Sequence, residues 1–108
     1  MSKVYDISAK LTNEKPKIQI AENKIYEVDN RKNTILKMQQ MLQKADIDDL
    51  DFLDEAIEML LGEKAAKELA EMDLSIKNYQ VIFVTIVAAI QEIEYEQAEG
   101  MFRKATDL

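Results

Sequence analysis

The side chains of this sequence that could do chemistry are carboxylates, and they gather in two places. One is the acidic stretch 46–51, and the other is the set Glu92, Glu94, Glu96 and Glu99. An EF-hand loop needs oxygen ligands at positions one, three and five, and a glycine at position six. Counted from Asp46, position five is Leu50 and position six is Asp51, so the calcium pattern fails. Because the helix dipole favours acids at a helix N-terminus, the stretch instead predicts the start of a helix.

The glutamates of 92–99 could in principle act as an acid–base pair. They lie among other charges on a face that we expect to be solvated, and no glycine-rich loop or histidine is near to orient a substrate. The chain has no histidine and no cysteine. These absences remove the commonest general base, the usual catalytic triad and the ligands of zinc sites. The sequence therefore predicts a non-enzymatic protein with no catalytic residues, no metal site and no cofactor.

Charge is distributed unevenly along the 108 residues. Residues 1–44 carry nine Lys/Arg and five Asp/Glu, a balance of +4, and residues 45–108 carry five and sixteen, a balance of −11. Because phosphate contact needs a basic face, the acidic part argues against a nucleic-acid partner. The lysines of the basic part are scattered, which is typical of a solvated surface. The asymmetry could also orient one copy of the chain against another.

The first 30 residues are predicted to be extended and to contain a β-hairpin. Residues 17–20 alternate polar and apolar side chains, the period of a half-buried strand, and 25–28 form the returning strand. Residues 21–24 predict the turn, in which Asn23 can adopt a left-handed conformation. Residues 4–7 are a candidate third strand. Together with a helical body over 31–108, this predicts a single domain over 1–108.

The rest of the chain has the period of α-helices, about four in number. The first follows a cap at Asn30 or Asn33, the second starts within 46–51 and ends at Gly62, and the third covers 63–73. Ser75 is the predicted cap of the fourth, which would run over 76–98, or to residue 105 if Gly100 only weakens it. The predicted fold is a mostly α, small helical domain of about four helices with an N-terminal β-hairpin.

The longest apolar run, 81–90, lies in the fourth helix and is interrupted only by Thr85. Ten residues are too few to span a bilayer, which takes about 20, so we expect no membrane partner. A surface helix keeps a polar side, whereas almost every side of this one is apolar. It is either a central core helix or partly an interface, and the two can both hold. On this ground we expect a homo-oligomer. With no signal-peptide pattern at the N-terminus, the expected location is the cytoplasm.

The run 60–66 (LLGEKAA), continuing through 74–79 (LSIKNY) and followed by 81–90, resembles the tail assembly chaperones of long-tailed phages and related prophages. The hairpin and the region 29–36 resemble members of that group from Gram-positive hosts. The similarity covers most of the chain and consists of overall pattern and length. The resemblance implies a small helical chaperone of the host bacterial cytoplasm that is absent from the finished virion.

Two partners follow from the resemblance. Such chaperones coat the apolar, helical tape measure protein and help recruit tail tube protein around it, and a longer frameshifted form commonly accompanies the short one. The family has no catalytic residues to carry over. The candidate partner-binding residues are therefore apolar side chains: Met59, Tyr79, Ile82, Phe83, Ile86, Met101 and Phe102. Two alternatives stay open, a small structural subunit of the phage tail or head completion, and a homo-oligomeric adaptor for protein–protein interaction.

Overall fold

The structure is a computed structural model that describes residues 3–12 and 14–106, with side-chain surroundings through residue 102. In this part of the chain a two-stranded hairpin precedes five α-helices, which confirms the mostly helical fold with an N-terminal hairpin. The strands are β1 (Lys17–Ala21) and β2 (Lys24–Glu27). The helices are α1 (Lys32–Lys44), α2 (Leu50–Leu61), α3 (Glu63–Glu71), α4 (Ile76–Gln91) and α5 (Tyr95–Thr106). The sequence predicts about four helices, and the structure has five in the described residues because the predicted fourth helix is divided into α4 and α5.

The hairpin is antiparallel and lies on the helical body. Lys17 pairs with Glu27 and Ile18 with Tyr26, and the turn residue Asn23 has φ of 65°, as its side chain type allows. Ile18 is buried and β1 packs against α4. On β2, the Tyr26 hydroxyl donates a hydrogen bond of 2.6 Å to a Glu68 carboxylate oxygen on α3, and this bond raises the pKa of Tyr26 to about 12. Both strands are thus tied to helices.

The predicted third strand over 4–7 does not form. The Asp6 carboxylate accepts hydrogen bonds from the backbone amide and the hydroxyl of Ser8, at 2.9 and 2.7 Å, and a short 3-10 helix follows over Ser8–Lys10. Such a side-chain turn competes with an extended strand. We call residues 3–12 the N-terminal arm. None of its residues is buried.

A junction at Asp29 joins the hairpin to α1 and α2. The Val28 amide donates to the Pro16 carbonyl and the Asp29 amide to the Leu60 carbonyl, each at 2.8 Å. The Asp29 carboxylate accepts bonds from the Arg31 guanidinium at 3.0 and 2.9 Å, and from the Thr34 hydroxyl at 2.9 Å. α1 therefore begins after Arg31, which corrects the prediction of a cap at Asn30 or Asn33, and no side chain caps its first turn.

Replacing Asp29 with alanine should make the free energy of unfolding less dependent on pH in the acidic range. The Arg31 guanidinium holds the pKa of the Asp29 carboxyl well below its usual range. Stability from a lowered folded pKa is present above the unfolded value of about 3.9 and is lost as pH falls towards the folded value. Since Arg31 is 73% exposed, solvent screens the pair, and we expect Asp29→Ala to cost about 1 kcal/mol at pH 7.

Urea unfolding of both proteins between pH 7 and pH 2 measures this difference. The gap in free energy of unfolding should be constant at neutral pH and should shrink below about pH 4. Thr34→Ala, which removes one bond to the same carboxylate, should cost less than Asp29→Ala. A gap that widens in acid would contradict the assigned role of Asp29.

The second and third helices meet at Gly62. The Asp49 carboxylate caps α2 by accepting hydrogen bonds from the amides of Asp51 and Phe52 at 3.0 and 3.2 Å, which confirms a helix start within the acidic stretch. Gly62 ends α2 and begins α3 with φ of 97° and ψ of 161°. This combination of dihedral angles is essentially restricted to glycine. α2 and α3 can therefore follow each other directly and still change direction.

The predicted long fourth helix is two helices. Ser75 caps α4 as expected, by accepting a hydrogen bond from the Asn78 amide at 3.2 Å. The helix ends at Gln91 because Glu92 takes a left-handed conformation, with φ of 55° and ψ of 45°. The Ile93 amide then donates to the Ala88 carbonyl at 3.0 Å, a helix-terminating bond. α5 starts at Tyr95 and is bent by 115° from α4.

The core is formed mainly by α2 and α4, with contributions from β1, α1, α3 and α5. Phe83 of α4 is fully buried, and its ring contacts Phe52 of α2 and Phe102 of α5 edge-on, with centroids 5.2 and 5.6 Å apart. Edge-to-face pairs at these distances are favourable beyond the area they bury. Phe83 thus joins three helices.

Candidate functional site

Three of the seven candidate partner-binding residues lie in the core. Phe83 and Ile86 are 0% exposed and Ile82 is 7% exposed, because α2, α5 and β1 cover α4. In this fold they cannot touch another chain without opening the domain. The large apolar side chains of α4 that are exposed are Ile76 and Val81, whereas Tyr79, Ala89 and Ile90 are partly buried. The core-helix interpretation of 81–90 thus accounts for most of its apolar surface.

Met59 and Tyr79 are partly buried and line two charged hollows that share Glu58 and Glu63. Met59 shares its hollow with Lys37, Met41, Glu55, Glu58 and Glu63. Tyr79 lines another with apolar and charged residues of α2 and α3. Burial, and then the negative charges of Asp54 and Asp73, raise the pKa of the Tyr79 phenol, which keeps it neutral. Neither hollow offers a continuous apolar surface.

Met101 and Phe102 lie together on a concave, mainly apolar surface. We call it the α1–α5 groove, a hollow of about 340 Å³. Its apolar lining is Met38, Leu42, Ala45, Ile47, Val87, Met101 and Phe102, and its polar lining is Gln39, Asp46 and Gln91. Met101 is 47% exposed, whereas Met38 and Val87 are buried at the base. Methionine is unbranched and polarisable, so a lining with two methionines can adapt to different apolar side chains.

Two local structures give the groove its shape. The Gln80 amide donates to the Ile47 carbonyl at 3.2 Å and to the Asp48 carboxylate at 2.9 Å, which holds the α1–α2 connection against α4. The turn after α4 brings α5 back, and the Glu94 amide donates to the Gln97 side chain at 3.0 Å at the start of α5. Ile47 and Phe102 are thereby placed at one edge of the groove.

A second hollow, of about 220 Å³, continues from this edge. It shares Ile47 and Phe102 with the α1–α5 groove and also contains Asp48, Lys77, Gln80, Val81, Val84, Tyr95 and Glu99. Its charged side chains are two carboxylates and one lysine. The apolar surface is thus bordered by the carboxylate side chain of Asp46 in the α1–α5 groove and by that of Asp48 in the adjoining hollow.

The sequence predicted only part of this groove. The helical spacing of Met38, Leu42 and Ala45 predicts the inner face of the first helix, but not a partner surface. The acidic stretch 46–51 predicts only a helix start, so it does not point to Ile47. The groove exists because the left-handed Glu92 breaks the helix and turns α5 back, and no glycine or proline marks that break. An apolar residue between acids, as Ile47 is, was the available signal.

The described residues contain no cluster of three or more His, Cys, Asp or Glu side chains that could hold a metal ion. Within the same part of the chain, no single helix is long and apolar enough to cross a membrane. Only α4 and α5 taken together, up to Phe102 and across their 115° bend, reach that length and composition.

Comparison with known proteins assigns the chain to no family. No protein-family model, curated protein or solved structure matches the chain.

Proposed function

We propose that this protein is a non-enzymatic tail assembly chaperone that binds apolar helical segments of a phage tape measure protein. The observation that carries the proposal is the α1–α5 groove, which is open to solvent and has a mainly apolar lining that includes two methionines. Amphipathic helices bind such grooves through apolar anchors spaced three and four residues apart. The tape measure protein, and the recruitment of tail tube protein, come from the resemblance of the sequence.

The acidic surface suits this role. A chaperone loaded with an apolar client needs charge to stay in solution, and the chain carries a net charge of −7. Methionine at the groove matches a long client whose apolar helices differ from one another. Of the candidate residues, Met101 and Phe102 would touch the client, and Ile82, Phe83 and Ile86 would support the groove from inside.

Co-expression with apolar helical fragments of the tape measure protein tests the proposal. We expect the fragments to stay soluble with the wild-type chain and to co-purify with it. Leu42→Asp places a charge in the groove and should weaken binding at least tenfold, since burial of a leucine is worth about 1.5–3 kcal/mol. Leu36→Asp is the matched control, because Leu36 lies on the same helix, is 44% exposed and does not line the groove.

Met101→Asp is a second groove variant that leaves the core intact, since Met101 is 47% exposed. Thermal unfolding should show that all three variants are folded. Fragments that aggregate equally with and without the protein would overturn the proposal. Detection of the chain in purified virions by mass spectrometry would favour a structural subunit instead. A large reading frame for a tape measure protein directly downstream would support the chaperone.

A further inference from the structure

The N-terminal arm exposes more large apolar side chains than any other segment of its length in the described chain. Val4 is 86% exposed, Tyr5 78%, Ile7 55% and Leu11 69%. The contacts of these residues are local: Lys3 lies over the Tyr5 ring at 5.2 Å, and Asp6 bonds to Ser8. Four such side chains within ten residues are unusual for a segment that stays in water, because each of them would gain favourable free energy if it were buried.

The spacing of the arm residues suits a groove. Val4, Ile7 and Leu11 follow at intervals of three and four, so they lie on one side of a helix, and Lys3, Asp6 and Lys10 fall on its other sides. A helical turn is already present at Ser8–Lys10. So short a helix is not stable in water by itself and needs a surface to pack against.

Charge indicates where that surface lies. The arm carries Lys3 and Lys10 against one acid, Asp6, and belongs to the basic part of the chain. The α1–α5 groove is bordered by Asp46, and the adjoining hollow by Asp48. A basic, apolar helix and an acidic-edged, apolar groove are complementary, and both belong to every copy of this chain.

We propose that the N-terminal arm of one copy docks as a helix in the α1–α5 groove of a second copy, and that the exchange is reciprocal. Reciprocal exchange seats two arms in two grooves and so doubles the buried area of a single contact, which favours a stable pair, since specific interfaces bury about 1,200–2,000 Å² in total. A client helix competes with the arm for the same surface. Client binding then converts the pair into loaded single copies, which is a regulatory step beyond client binding itself.

Sedimentation equilibrium of the full chain tests the self-association. The wild-type chain should show the mass of two copies, and the arm variant Val4→Ser/Ile7→Ser/Leu11→Ser should show that of one. The groove variant Leu42→Asp should also be a single copy. Ile25→Ser is the matched control, since Ile25 is an exposed apolar residue outside the arm, and it should leave the pair intact. Raising the salt concentration should weaken the pair severalfold, because it screens the charges.

A mixing experiment separates this arrangement from other contacts between copies. The arm variant keeps an intact groove and Leu42→Asp keeps an intact arm, so an equimolar mixture should form a mixed pair that neither variant forms alone. A labelled peptide of residues 3–12 should bind the arm variant and bind Leu42→Asp at least tenfold more weakly. A pair that survives both variants overturns the proposal.

Two further outcomes would overturn the proposal. The wild-type chain could stay a single copy at all concentrations and yet bind the labelled peptide more weakly than the arm variant does. The arm would then occupy the groove of its own chain, which also overturns the proposal. Peptide binding unaffected by Leu42→Asp would exclude the groove as the docking site. The test uses no tape measure fragment, so client binding can fail while arm exchange holds. Conversely, an arm variant that still solubilises the client would support the proposed function alone.

Discussion

Phe83→Ala should remove most of the stability of this domain. Phe83 is fully buried, and its ring contacts those of Phe52 and Phe102 edge-on, with ring centroids 5.2 and 5.6 Å apart. Truncating such a phenylalanine removes its buried surface and leaves a cavity, at a cost of about 3–5 kcal/mol. Domains of this size are stable by about 5–15 kcal/mol. In urea unfolding, the midpoint should fall steeply while the slope m stays unchanged.

Val81→Ala, two residues earlier on the same helix, is the matched control. Val81 is 41% exposed, so its truncation should cost much less. The pair of variants also separates two roles for the apolar run 81–90. A residue that only serves a partner would lose affinity and keep stability, so an unchanged unfolding midpoint for Phe83→Ala would contradict its placement in the core.

Gly62→Ala should destabilise the protein although the new methyl group has room. Apart from Gly62 itself and its two neighbours in the chain, no heavy atom lies within 4 Å of the position that its Cβ would take. The cost comes from the backbone, because φ of 97° with ψ of 161° is strained for any residue with a side chain, at about 1–3 kcal/mol. Thermal and urea unfolding should both show the loss.

Gly100→Ala should have the opposite sign. Gly100 also has open space around its Cβ position, but it lies inside α5 and is not among the positive-φ glycines of the described chain. Alanine in a helix interior is favoured over glycine by about 1 kcal/mol. Equal effects of the two substitutions would contradict the assignment of the Gly62 loss to backbone conformation.

The predictable parts of the fold were those with local signals. The alternation at 17–20, the turn at Asn23, the acidic start of α2, and the caps at Gly62 and Ser75 all act within a few residues, and each was read from the sequence. The break at Glu92 has no such signal, since a left-handed glutamate is imposed by packing of α5 on α4. The candidate strand over 4–7 is not formed, because it pairs with no other strand in the described chain and the Asp6 carboxylate instead closes a turn with Ser8.

The site was less predictable because it depends on relative exposure. Phe83, Ile86 and Met101 are all candidates because they are apolar, but the structure buries the first two and exposes the third. The helical spacing of Leu50, Leu53, Ile57 and Leu60 predicts one inner face of the second helix, yet Leu50 is 53% exposed. Which apolar residue remains in contact with water is decided by helix–helix packing, which no local pattern encodes.

The packing of β1 on α4 has a consequence for synthesis. The hairpin leaves the ribosome early, but Ile18 is covered by a helix that is translated much later. A lone two-stranded hairpin is marginally stable in water, so it cannot act as a template for the helices that follow. Contacts between such distant segments also slow folding. The nascent chain therefore stays open until α4 emerges, and the domain closes only after most of it has been made.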